Sequence, residues 1–228
     1  MKPRAKLQSE RLADKAYAIL RTQILKGALP PGHALSVPEL SRQLGVSRSP
    51  VREAVLQLVA DGLAQEEARK GAVVAHFGLE DALQILEARE VLEVASVRLG
   101  ATRATAKDLA LLRQVLQAQA KTIQEADLEG YQATDLQFHK LLGTLSHNPV
   151  LERMVGLLKE QSHLALEPAA RSLAQLERGY HEHQAVLAAL EARKVPQAAR
   201  ALQKHFKRIR ESLESWLASD QTQPSTSK

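Results

Sequence analysis

The stretch Glu39 to Gly62, ELSRQLGVSRSPVREAVLQLVADG, constrains this chain more than any other. It divides into a short helix, a tight connection and a longer helix. Leu40 and Leu44 give the first helix an apolar i,i+4 edge, and Gly45 is suited to end it, because glycine adopts left-handed backbone angles without strain. Ser47 or Ser49 is expected to cap the next helix, with Pro50 in its first turn. Val51, Val55, Leu58 and Val59 then form the buried stripe, which leaves Arg48, Ser49, Arg52 and Gln57 facing outward. A helix N-terminus already carries partial positive charge and unpaired N–H groups. Two arginines add nothing useful there for an isolated helix. They fit an anion docking at that tip, such as DNA phosphate, and either could reach a guanine edge in the major groove. The plain alternative is a three-helix packing unit with ordinary surface arginines.

Charge is distributed accordingly. Residues 1–78 hold 12 Lys/Arg against 7 Asp/Glu, and residues 79–228 hold 19 of each, so the formal +5 sits with the helix-turn-helix. That is the footprint of a DNA-binding module joined to a neutral partner. The 228 residues suit two modest domains, and with aromatics at only 3% their cores must be built from Leu, Ala, Val and Ile. The absence of cysteine excludes disulfides and thiolate metal sites. The start is polar, with no signal-peptide run, and no stretch approaches a membrane span. A soluble cytoplasmic protein is expected.

In chain order, residues 1 to about 8 read as a flexible basic arm. A helix follows from Ser9 to Lys26, with Leu12, Ala16, Ile19 or Leu20, and Ile24 inward, and Gly27 as its stop. Leu63–Glu66 and Ala72–Ala75 read as two short strands around a turn bearing Arg69, Lys70 and Gly71. This is a hairpin wing placed to touch DNA beside the second helix. From Leu79 the pattern is helical only, in six segments at about 79–101, 106–127, 130–145, 149–165, 172–193 and 196–217. The tail 219–228 is polar and expected to be disordered. The fold class is therefore mainly α, a winged helix-turn-helix (1–78) followed by an all-helical antiparallel bundle (79–218).

Four residues in the helical part stand out. Asp135 and His139 share one face of a helix at i,i+4, and His183 and His205 lie near the centres of two later helices. A bundle can turn all four inward, and one carboxylate with three imidazoles suits zinc, nickel, manganese or iron. By spacing alone, buried or surface histidines without metal remain the commoner outcome.

The segment Tyr17–Val74 closely resembles the winged helix-turn-helix of GntR-type bacterial transcription regulators. It does so through Ile24–Leu35, the run Glu39–Val55 and Leu58–Val74, with Gly-Val-Ser-Arg-Ser-Pro-Val-Arg-Glu-Ala the most specific part. The resemblance implies that Ser47, Arg48 and Arg52 contact operator DNA and that Gly71 is the wing glycine. One departure is Pro38, where many members carry arginine or glutamate, so a backbone contact from an arginine there is lost. The remainder is similar to the FCD ligand-binding domain of the FadR branch, in its six-helix, VanR-like version. The carriers are Arg89-Glu-Val-Leu-Glu93, Asp135-Leu-Gln-Phe-His139, Glu182-His183 and His205.

This second resemblance implies a divalent ion on Asp135, His139, His183 and His205, zinc first, with nickel or manganese as alternatives. It also implies a small carboxylate effector held with the help of Arg89, for which a salt bridge to Glu93 is the alternative role. The expectation is a homodimeric regulator, a repressor before an activator, binding a short inverted repeat of double-stranded DNA. It is not expected to be an enzyme, since no residue is evidently placed as a spare general base. Three rival readings stay open: a sensor for which the ion itself is the signal, a helical metalloenzyme retaining a DNA-binding module, and a purely structural metal.

Overall fold

The computed structural model describes residues 3–166 and 173–220, with side-chain surroundings for 11–166 and 174–215. The chain forms two compact units, Met1–Gly78 and Leu79–Lys228. The first contains α1 (Pro3–Leu25), α2 (Val37–Leu44), α3 (Arg48–Ala60), β1 (Ala64–Glu67) and β2 (Gly71–Val74). Contrary to the expected flexible arm, α1 begins at Pro3. Proline suits a first helical turn, and Arg4, Ala5, Lys6, Leu7 and Gln8 all favour helix. Ala13, Ala16, Leu20 and Ile24 face the core, while Ile19 is exposed.

Pro38 lies in the first turn of α2, and Gly45 ends that helix at φ 65°, the left-handed conformation that glycine adopts freely. Ser47 occupies the N-cap position of α3 with extended backbone, but its hydroxyl makes no capping hydrogen bond. Ser49 is two residues too far along and gives its Oγ–H to Glu53 instead. The expected serine cap is therefore not made. The buried stripe of α3 is Pro50, Val51, Ala54, Val55 and Leu58. Val59 falls at its half-buried edge. Tyr17 Oη donates to Asp61 Oδ2 at 2.6 Å, fixing α1 against the end of α3. The antiparallel wing pairs Ala64 with Val74 and Glu67 with Gly71. Each strand is shifted by one residue at one or both ends from the sequence expectation.

The second unit contains, among the described residues, α4 (Leu79–Arg103), α5 (Ala106–Gln124), α6 (Leu128–Thr144), α7 (Pro149–Leu166), α8 (Leu173–Glu191) and α9 (Val195–Asp220). All six begin or end within three residues of the expected bounds. The tail expectation falls, from residue 221 on, outside the described residues, and α9 continues to Asp220. A reciprocal Thr105–Asp108 capping box starts α5, and Asp127 caps α6 by accepting from the Gly130 N–H. The core joins Leu86, Val97, Leu112, Leu116, Phe138, Leu142, Leu187, Leu190, Leu202 and Phe206. Helix α4 packs closely at Gly100, where an added Cβ would lie 2.5 Å from Leu145 Cβ. Among the described residues, no helix is long and apolar enough to cross a membrane.

Candidate metal centre and DNA-reading helix

Helical spacing places the polar residues of the bundle. On α4, Leu86, Arg89, Glu93, Val97 and Gly100 share one buried face. On α6, Phe138, His139 and Leu142 do the same, with Asp135 one turn earlier. Helix α8 brings His183 and α9 brings His205. The three imidazoles meet with ring centroids 4.7–5.2 Å apart. All three are buried, and their nitrogens form a cluster within 4.8 Å of one another.

Each imidazole is held from behind. His139 Nδ1 lies 2.5 Å from Glu93 Oε2, His183 Nδ1 lies 3.0 Å from Gln119 Oε1, and His205 Nδ1 lies 2.7 Å from Glu182 Oε2. An acceptor at Nδ1 puts the imidazole proton there and leaves the Nε2 lone pair free. All three Nε2 atoms are buried with no hydrogen-bond partner. Buried polar atoms are rarely left this way, and three that converge fit a metal ion supported by outer hydrogen bonds. Asp135 Oδ1 stands 3.8 Å from His139 Nε2 and 3.7 Å from His183 Nε2. A tetrahedral ion with bonds of about 2.1 Å spaces its ligands by about 3.4 Å. The three imidazole nitrogens, within 4.8 Å of one another, are near enough to close around such an ion, and Asp135, held by Lys159, must turn to join them.

The electrostatics suit ligation. Burial lowers the His139 pKa well below the ordinary histidine value, with Lys159 and Arg89 adding to the effect. Burial, then His205 and His139, lower that of His183 in the same way. Neutral imidazole is the form that binds metal. Burial acts to raise the Asp135 pKa, but Lys159, His139 and His183 together hold it well below the usual carboxylate range. Burial raises that of Glu93, opposed by Arg89 and Lys159.

Arg89 is fully buried. Its Nε donates to Glu93 Oε1 at 2.9 Å, its Nη1 donates to Ser162 Oγ at 2.8 Å, and its guanidinium lies over the Phe206 ring, 5.0 Å from the centroid. The Glu93 salt bridge considered from sequence is present. Arg89 also lines a cavity of ≈ 130 Å³ beside the cluster. Its Nη2 lies 2.9 Å from Glu93 Oε1, close enough for an ion pair though outside hydrogen-bond geometry. Asp135, Lys159, Ser162, His205 and Arg208 face the same cavity, with Leu176, Ile209 and Leu213 supplying apolar wall. His163 lines it as well.

Sequence reasoning missed Lys159, whose Nζ donates to Asp135 Oδ2 at 2.5 Å, together with Ser162 and Gln119. The signal was present: Val155, Lys159 and Ser162 follow i, i+4, i+7, which places a lysine on the inward stripe of α7. Leu112, Leu116 and Gln119 do the same on α5.

In the first unit, Ser47, Arg48, Ser49 and Arg52 are exposed around the start of α3. Arg69, Lys70 and Gly71 are exposed at the wing tip, with Arg69 and Gly71 at φ 69° and 76°. Lys70 Nζ lies 2.8 Å from Glu67 Oε2. With no serine cap made, the first-turn N–H groups of α3 keep their capacity for an anion.

Comparison with known proteins agrees with both units. Residues 12–74 match the bacterial regulatory proteins of the gntR family, and residues 84–208, more than half of the chain, match the FCD domain. The chain is 36% identical over 130 residues to an uncharacterized HTH-type transcriptional regulator of Agrobacterium vitis, covering 56% of this chain and 76% of that one. It is 28% identical over 200 residues to the HTH-type transcriptional repressor RspR of Escherichia coli, covering 88% of each. Among solved structures it resembles Escherichia coli McbR/YncC with a TM-score of 0.78 at 26% identity, covering 90% of this chain and 98% of that chain. The matched families are regulatory and not enzymatic. This chain belongs to the GntR family of DNA-binding transcription regulators, with a winged helix-turn-helix followed by an FCD domain.

Proposed function

We propose that this regulator is a repressor whose hold on a short inverted-repeat operator is set by a small organic acid, received at a divalent metal ion on Asp135, His139, His183 and His205. The observation that carries this reading is the set of three buried, unpartnered Nε2 atoms, each fixed in its tautomer from behind. Zinc suits three imidazoles and a carboxylate first, with nickel or manganese as alternatives. Such an ion would supply a residual positive charge that draws a carboxylate to the site. Glu93, Gln119 and Glu182 orient the imidazoles. Arg89, held by Glu93 and Ser162, lines the same cavity and is the cation assigned to help hold the acid.

In the DNA-reading part (1–78), Ser47, Arg48, Ser49 and Arg52 take phosphates and base edges, and Arg69, Lys70 and Gly71 take the flanking backbone. A two-fold operator asks for a two-fold protein, so the working form is a homodimer in the cytoplasm, paired through the helical part (79–218). The six helices α4–α9 among the described residues support placement in the FadR branch with a VanR-like body. The repressor sign is supported by RspR, which is named a repressor.

The test uses an operator selected from a random duplex pool and the zinc-loaded full chain. Anisotropy titrations with a panel of small organic acids should shift operator affinity by roughly 5- to 150-fold for at least one acid. Unchanged affinity across the panel contradicts the reading. A second reading, the ion as the signal, is supported by the Lys159–Asp135 pair, which gives the metal-free site a balanced charge. It predicts operator affinity that tracks zinc with no acid present.

A further inference from the structure

The charged groups at the cavity are balanced before any ion is counted. Arg89, Lys159 and Arg208 line it, and each is paired with one carboxylate: Glu93, Asp135 and Glu182 respectively. The neighbouring Lys140–Glu160 pair is also balanced. Glu93 is surrounded by donors, from the Arg89 guanidinium and the His139 Nδ1 side, which suit a carboxylate and not a carboxylic acid. A divalent ion held on the neutral imidazoles would thus leave two uncompensated positive charges in a largely buried site. Buried charge without a partner is strongly unfavourable.

Two cations are positioned to share the compensation. If Asp135 turns to an ion, Lys159 loses that acceptor while its side chain is only 8% exposed. Arg208 uses its Nε for both Glu182 oxygens, so its terminal nitrogens take no part in that contact, and it lies at the more open side with 24% exposure. Gly179 keeps that side clear: an added Cβ would stand 2.6 Å from Tyr131 Oη and 3.5 Å from Arg208 Nη2. Leu176, Ile209 and Leu213 wall the space with hydrocarbon. A cavity of ≈ 130 Å³ is close to the roughly 150 Å³ that holds a benzene ring, so the occupant is a small molecule.

From this balance we infer that the effector is a small dicarboxylate carrying two negative charges, with Lys159 receiving one carboxylate beside the metal centre and Arg208 the other. This inference rests on the metal-and-acid reading above and narrows it to one class of acid. Lys159 is the residue that makes the second charge necessary.

The zinc-loaded full chain should be titrated calorimetrically with malonate, succinate, glutarate and malate, and with succinamate, the monoamide that keeps the size of succinate and loses one charge. The tightest dicarboxylate should bind at least tenfold more tightly than succinamate. Lys159→Met should remove most of that preference, while zinc affinity measured by chelator competition stays level or rises. Equal binding of dicarboxylate and monoamide in the wild-type chain overturns the inference and leaves the metal-and-acid reading standing. Inorganic phosphate binding more tightly than every dicarboxylate also overturns it, because a compact dianion does not need both cations. A preference retained in Lys159→Met, or zinc lost with it, removes the role given to Lys159. Binding of no acid of either kind sinks the underlying reading as well.

Discussion

Gln119 illustrates how one side chain can set the tautomer of a candidate metal ligand from outside the cluster. It presents Oε1 to His183 Nδ1 at the edge of the ring while Phe138 stacks on its face, 4.1 Å between centroids. Gln119→Leu keeps the packing and removes the acceptor, so His183 loses its fixed tautomer. Zinc affinity should fall roughly 10- to 100-fold by chelator competition; an unchanged value would contradict the tautomer argument.

The buried histidines also set a pH dependence in the metal-free protein. The folded state holds His139 and His183 neutral, whereas the unfolded chain protonates them near their ordinary value. Between the two pKa values the unfolded state binds more protons, so stability falls as pH drops below about 6.5, by up to roughly 1.4 kcal/mol per pH unit for each histidine. Asp135 acts in the same sense at lower pH, because its depressed pKa contributes stability that is lost as pH falls through its folded value. Urea midpoints of chelator-treated protein should decline between about pH 7 and pH 5; a flat profile contradicts the burial of neutral imidazoles. On the DNA side, Arg48→Ala should cost about 1–3 kcal/mol on the operator and much less on random duplex if the residue reads a base. Equal losses, measured by anisotropy on both duplexes, would make it a phosphate contact.

Among the elements, α4 does the most to organise the second unit. One face carries Leu86, Arg89, Glu93, Val97 and Gly100, so core packing and the support of the imidazole cluster lie along the same stripe. Gly100→Ala would drive a methyl against Leu145 Cβ, which sits at the root of its side chain and cannot swing away. A loss of about 1–3 kcal/mol is expected in urea unfolding; wild-type stability would show that α4 and the end of α6 are less closely packed.

Element positions were largely legible in the sequence because apolar periodicity, prolines and the glycine stop at Gly45 mark them independently of tertiary contacts. The misses have local causes. The helix through residues 3–8 lacks an apolar signal and rests on propensity, and the serine cap of α3 looked available because spacing does not show that Ser49 Oγ–H goes to Glu53.

At the scale of the whole molecule, net positive charge and the exposed α3 tip belong to one unit, while the balanced buried charges belong to the other. Sequence alone could put Asp135 and His139 on one face. It could not bring His183 and His205 to them, because that depends on how α6, α8 and α9 pack; the family resemblance supplied this step. Lys159 escaped both routes, since a lysine in a helix is ordinarily read as solvated, and only the packing of α7 shows it pressed against Asp135.

The account turns on the convergence of three imidazole nitrogens on one ion. Diffraction from zinc-soaked crystals of the full chain, recorded on both sides of the zinc absorption edge, tests it directly. The prediction is a single strong anomalous peak in the helical unit, about 2.0–2.1 Å from Nε2 of His139, His183 and His205, with Asp135 turned to it. No peak there, or zinc bound only at surface histidines, would contradict it.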